Sequence, residues 1–196
     1  MKIIAVERAF DLWPETAQMA VQGDMAPLPA CLPTSLLTDS AVVRYGTPLF
    51  VPDFAAKWRL EIAPVVIISR LGKWIEPRFA HRYYTNVSLV ARLLPPDGAP
   101  CGAFGANFDG AIAPGRVIAA PADGNFTICL DGKDEISLSA AMMHIDDTVA
   151  LTSRFMMLKT GDMIVPCRTP LHVEPVVGTR ISATLNGMPV IDLKIR

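Results

Sequence analysis

Dipeptides of the form Asn-Gly and Asp-Gly recur along this chain, and two of them end segments that alternate apolar and polar residues. Ile181, Ala183 and Leu185 alternate up to Asn186-Gly187, and Val190–Ile195 follows. Phe126, Ile128 and Leu130 alternate up to Asp131-Gly132. Asparagine, aspartate and glycine tolerate the positive φ angles of a two-residue hairpin loop, so this pattern specifies antiparallel strands. Further turns of this kind are expected at Asp97-Gly98, Asp109-Gly110 and Asp123-Gly124. Trp58–Ser69 is rich in Val and Ile and reads as another strand, as does Met1–Val6.

Helix signals are fewer. Asp11 is placed to cap a helix through Met19, with Pro14 and Glu15 in its first turn. Glu76–Tyr84 is a second candidate. A third, over Thr148–Phe155, has Asp146 or Asp147 as its cap. Prolines cluster at Pro27, Pro29 and Pro33 and again at Pro95, Pro96 and Pro100, which predicts irregular loops. The expected fold class is α+β, mostly β, with about three short helices, in a single domain over 1–196. Within it, residues 1–40 supply a strand, a helix and a proline-rich loop packed on the rest.

Composition narrows the classes of function. The 196 residues are 51% hydrophobic and 19% charged, too apolar for a disordered chain. Four cysteines are too few for a disulfide scaffold. The net charge of −1 argues against nucleic acid or an anionic membrane as a partner. No apolar run approaches the ~20 residues of a membrane helix. Nor does the N-terminal stretch read as a signal peptide, so the expected location is the cytoplasm, with Cys31, Cys101, Cys129 and Cys167 as reduced thiols. A mean hydropathy of +0.34 points to extra apolar surface and hence to a homodimer.

Several segments together resemble the fumarylacetoacetate hydrolase family. They are Met1–Val6, Pro48-Leu49-Phe50-Val51-Pro52-Asp53-Phe54, Gly72-Lys73-Trp74-Ile75-Glu76 and Phe79–Tyr84, followed by Phe108-Asp109-Gly110 and the run Ser153–Asp162. Their order fits nearly the whole chain, most closely that of the small single-domain bacterial, 2-keto-4-pentenoate hydratase-like members. The resemblance implies a β-rich roll, a homodimer, and Mg²⁺ or Mn²⁺ chemistry on small keto or diketo acids. Such an ion needs hard oxygen ligands and stabilises a developing enolate. In the family a Glu-x-Glu pair on one strand face and a later Asp hold it. A His or Glu near the N-terminus acts on water, and a lysine and a Thr-Gly-Thr-Pro loop complete the substrate side.

At those places this chain departs from the family. Glu61 is the only retained ligand position, and Ala63 stands at its partner's. Arg92 occupies the Asp position and Trp13 the His position. Ala106 and Asn107 replace the lysine segment, and Pro166-Cys167-Arg168-Thr169-Pro170 replaces the threonine-glycine loop. The resemblance therefore implies a vestigial pocket of Glu61, Arg92, Arg59, Arg168, Trp13 and Asp109, with no metal. Arg92 is expected to pair with Glu61 in the ion's place. The leading reading is a catalytically degenerate homologue that binds a small carboxylate or phosphate anion or acts as a structural or regulatory partner. The alternative is an active hydrolase, decarboxylase or isomerase of small keto acids with Mg²⁺ or Mn²⁺ in a non-standard site. A third reading is an unrelated mostly β binding module. His81 reads as structural and His144 as a loop residue, His172 borders the implied pocket without an assignable carboxylate partner, Lys159–Asp162 reads as a turn, and Met142-Met143 and Met156-Met157 as core or interface.

Overall fold

The computed structural model describes residues 1–9, 32–95 and 107–196. In chain order the strands are β1 (Ile3–Val6), β2 (Thr34–Leu37), β3 (Arg59–Ile68), β4 (Tyr84–Leu94), β5 (Ile112–Pro114) and β6 (Ile118–Ala119). They continue as β7 (Asn125–Leu130), β8 (Asp134–Ser139), β9 (Met163–Val165), β10 (His172–Val173), β11 (Arg180–Leu185) and β12 (Met188–Lys194). The helices are α1 (Pro77–Ala80) and α2 (Ile145–Phe155). One sheet runs β2-β1-β9-β3-β4-β5, with β10 on β3 and β6 on β4, and a second runs β12-β11-β7-β8.

The alternation along β3 and β4 divides the core. Leu60, Ile62 and Val66 of β3, with Leu89, Ala91 and Leu93 of β4, pack in one cluster with Phe126, Ile128, Leu130, Ile181, Ala183 and Leu185 of the second sheet. The opposite face of the first sheet carries a smaller cluster, Ile3, Ala5, Ala63, Val65, Val90, Ile112 and Val165. Arg59, Glu61, Arg92 and Glu7 extend that second face, two residues at a time, toward one end of the sheet.

Pro64 lies in the middle of β3, where a missing N–H would break a ladder. It does not, because β9 pairs β3 at Val66 and Ile67 while β10 pairs it at Leu60 and Glu61. The N–H groups of Ile62 and Ile68 donate on that side, to Leu171 and Asp162. Pro64 falls in the gap between the two short partners. That gap frees residues 166–171 to leave the sheet and return over Glu61.

The two hairpins form as expected. Asn186 and Gly187 have φ of 51° and 76°, and Asp131 and Gly132 have 49° and 67°. Gly110 and Gly124 also take positive φ. Three expectations need correction. The stretch 76–84 is one turn of α-helix followed by a 3-10 turn over His81–Tyr83, because Tyr84 already belongs to β4. Helix α2 begins at Ile145 after His144, so Asp146 and Asp147 lie in its first turn and interact with its dipole rather than capping it. Within the proline-rich stretch, Thr34–Leu37 is a strand paired with β1. The Asp11–Met19 helix and the Asp97-Gly98 turn lie outside the described residues. Among the described residues no helix is long and apolar enough to cross a membrane.

Candidate functional site

Antiparallel register sets Glu61 of β3 opposite Arg92 of β4. Both are 1% exposed, so each charge needs a partner. The expected pair between them is not the one that forms. Glu61 Oε2 accepts from Arg168 Nε at 3.1 Å, and Glu61 Oε1 accepts from the Thr169 backbone N–H at 2.9 Å. Arg92 Nη2 instead donates to Glu7 Oε1 at 2.6 Å. The cause is the 166–171 excursion. It brings Arg168 and Thr169 onto the carboxylate, and the end of β1 brings Glu7 to the guanidinium.

The excursion is itself tied down. Thr169 Oγ1 donates to the Ile62 carbonyl at 2.5 Å, the Arg168 N–H donates to the Arg8 carbonyl at 2.7 Å, and Ala9 bridges Arg168. Cys167 is buried beside Glu61. Burial first, and then the Glu61 carboxylate, push its thiol up to about 12, with the Arg8 cation acting in the opposite direction. Cys167 is therefore a packing residue and not a nucleophile at neutral pH.

Arg59 lies two residues before Glu61, on the same face. Among the described residues its buried Nε has no hydrogen-bond partner, and neither has the buried Nη1 of Arg92. A buried N–H of a cation without an acceptor is costly, so each of these atoms calls for an acceptor. The carboxylates of Glu7 and Glu61 thus pair with the guanidinium groups of Arg92 and Arg168, and Arg59 shares the strand face of Glu61.

The donor set does not suit a divalent cation. Each oxygen of Glu61 already accepts a hydrogen bond, one of them from a cation, and the cations of this face outnumber the carboxylates. Among the described residues no three His, Cys, Asp or Glu side chains form a group that could hold a metal ion.

Of the residues singled out from sequence, Arg168 pairs with Glu61, Arg92 lies across the register from Glu61, and Arg59 lies two residues along the same strand face. Asp109 is exposed in its turn and, among the described residues, has no ion pair to these arginines. Trp13 lies outside the described residues, as do Cys31, Cys101 and Ala106. His172 is exposed, pairs in register with Glu61, and holds the Pro170 carbonyl through Nδ1 at 2.7 Å. Glu7 and Thr169 were missed as site residues. The available signal was the position of Glu7 in the pattern Ile3, Ala5, Glu7, which continues the buried face of β1 with a charge.

A second group of charges lies at the start of α2. Tyr84 Oη donates to Asp146 at 2.9 Å, and His144 Nδ1 lies 3.0 Å from Asp147. Burial and the Asp146 charge raise the Tyr84 hydroxyl. Burial, reinforced by Asp147, raises Asp146, while Tyr84 and His81 act the other way. Asp162, in the predicted turn, accepts from the Lys2 ammonium and from the Lys2 and Lys159 N–H groups. Burial alone would raise its carboxyl, but these bonds outweigh burial and hold it below the usual range.

No family model matches the sequence, and no curated protein matches it. Solved structures do match. A 5-carboxymethyl-2-hydroxymuconate delta-isomerase from Mycobacterium smegmatis aligns at a TM-score of 0.78 with 16% identity, over 99% of this chain and 78% of that one. The fumarylpyruvate hydrolase from Pseudomonas aeruginosa, solved with Mn²⁺ and pyruvate, aligns at 0.75 with 18% identity, over 100% and 89%. A fumarylacetoacetate hydrolase family protein from Yersinia pestis CO92 aligns at 0.74 with 17% identity, over 100% and 92%. The fold is thus that of the fumarylacetoacetate hydrolases and hydroxymuconate isomerases, which sets aside an unrelated β module. At these identities the likeness is one of fold.

Proposed function

We propose that this fumarylacetoacetate hydrolase-like fold carries a metal-independent, arginine-lined cleft that binds a small carboxylate, and that it does not perform metal-dependent keto-acid chemistry. The observation that carries the reading is the Glu61 carboxylate, closed off by Arg168 and Thr169 while Arg92 stands opposite it. A guanidinium presents the planar fork that a carboxylate fits. Exposed apolar side chains such as Phe155 and Trp74, 67% and 57% exposed, support a homodimer as its working form.

A second reading, hydrolysis of small diketo acids, is favoured by one fold neighbour, the fumarylpyruvate hydrolase. Metal content of the purified protein and turnover of fumarylpyruvate with added Mn²⁺ separate the two. The first reading expects neither a stoichiometric metal nor turnover. Bound Mn²⁺ together with hydrolysis establishes the second.

A further inference from the structure

Arg92 is the most deeply buried cation of the cleft, and its two arms are treated differently. Nη2 holds Glu7, whereas Nη1 is buried and has no hydrogen-bond partner among the described residues. A carboxylate that matched this guanidinium would take both arms at once. Glu61, across the register, is not that group: its oxygens accept from Arg168 and Thr169, and among the described residues it makes no hydrogen bond to Arg92. Glu7 does not do so either, although its side chain is 22% exposed. Its backbone is held in place, its N–H donating to the Pro33 carbonyl at 2.8 Å just beyond β1. From that anchor Glu7 reaches one arm only. Arg59 adds a further empty donor, its buried Nε, on the same sheet face.

We propose that Glu7 is a built-in competitor for the cleft, an intramolecular carboxylate that covers one arm of Arg92 until a small planar carboxylate displaces it. The incoming ligand takes both arms of Arg92 and the Arg59 Nε, and Glu7 swings toward solvent. This rests on the carboxylate-binding reading above and adds a regulatory element to it. A tethered carboxylate lowers the apparent affinity by the fraction of time it occupies the arginine. Glu7 thereby offsets part of the positive charge of the empty cleft, which responds only to ligand concentrations that outcompete the tether.

Titration calorimetry with pyruvate, and separately with inorganic phosphate, tests this on wild type, Glu7→Gln and Arg59→Gln. Glu7→Gln keeps the side-chain size and removes the competing charge, so it is expected to bind pyruvate about tenfold more tightly than wild type. Arg59→Gln leaves the Glu7–Arg92 pair in place and is expected to bind about tenfold more weakly. Glu7→Ala, which strips a buried cation of its partner, is expected to melt at a lower temperature, and pyruvate should restore it by more than it lifts wild type. Should Glu7→Gln prove too unstable for calorimetry, this rescue and the Arg59→Gln titration carry the test. Equal or weaker pyruvate binding by a folded Glu7→Gln, with wild type still binding, overturns the competitor role and leaves the cleft reading standing. Loss of rescue, or an Arg59→Gln protein that binds like wild type, also overturns it. Tighter phosphate than pyruvate binding overturns the carboxylate assignment. Absence of pyruvate binding in every variant overturns the cleft reading and this inference with it.

Discussion

Replacing Glu61 with glutamine changes one atom in the most enclosed part of the site. The amide oxygen can still accept from the Thr169 N–H. The amide nitrogen then faces Arg168 Nε, donor against donor, where the native oxygen accepts at 3.1 Å. The substitution also leaves Arg168 without its counter-charge and removes the negative charge opposite the buried Arg92. Breaking one partner of a buried ion pair costs about 3–5 kcal/mol. Arg168 is 28% exposed, which places the cost near the lower end, about 3 kcal/mol. With a urea m-value near 2 kcal/mol/M, that loss lowers the unfolding midpoint by roughly 1.5 M. Arg168→Met in the same background removes the opposed donor. The double variant should therefore be more stable than the two separate losses predict, by about 2 kcal/mol of coupling. A midpoint shift worth less than about 1 kcal/mol, or strictly additive losses, would refute the idea that Glu61 is a structural anchor for Arg168.

Asp146→Asn keeps an acceptor for the Tyr84 hydroxyl and removes a carboxylate whose pKa burial and Asp147 have raised. A raised acid costs stability once pH climbs through its folded value. The variant should therefore melt higher than wild type at pH 7, and the difference should vanish toward pH 3, as read by thermal unfolding across that range. Cys167, its thiol pushed up to about 12, should resist iodoacetamide at pH 8 in the native protein and react only after unfolding, as followed by mass spectrometry.

Much of the fold is legible because its information is local. Asn186-Gly187 and Asp131-Gly132 need no distant contact to make a hairpin, and alternation then fixes which side chains face the second sheet. The stretch 76–84 was misread because a helical pattern there competes with strand pairing that begins at Tyr84, opposite Ile68. The site was partly legible. Glu61, Arg92 and Arg168 could be named, and Glu61 does face Arg92. Their partners could not, because Arg168 reaches Glu61 across 107 residues and Glu7 reaches Arg92 across 85. The contacts depend on how the 166–171 excursion closes over the gap at Pro64, and no spacing rule encodes that.

The central claim is that charge in this cleft is supplied by arginine and not by a metal. Pyruvate titrated calorimetrically into the chelator-treated protein, with and without Mn²⁺, tests it most directly. Arginine-held carboxylate binding gives the same affinity in both conditions. Binding that appears only when Mn²⁺ is present would contradict it.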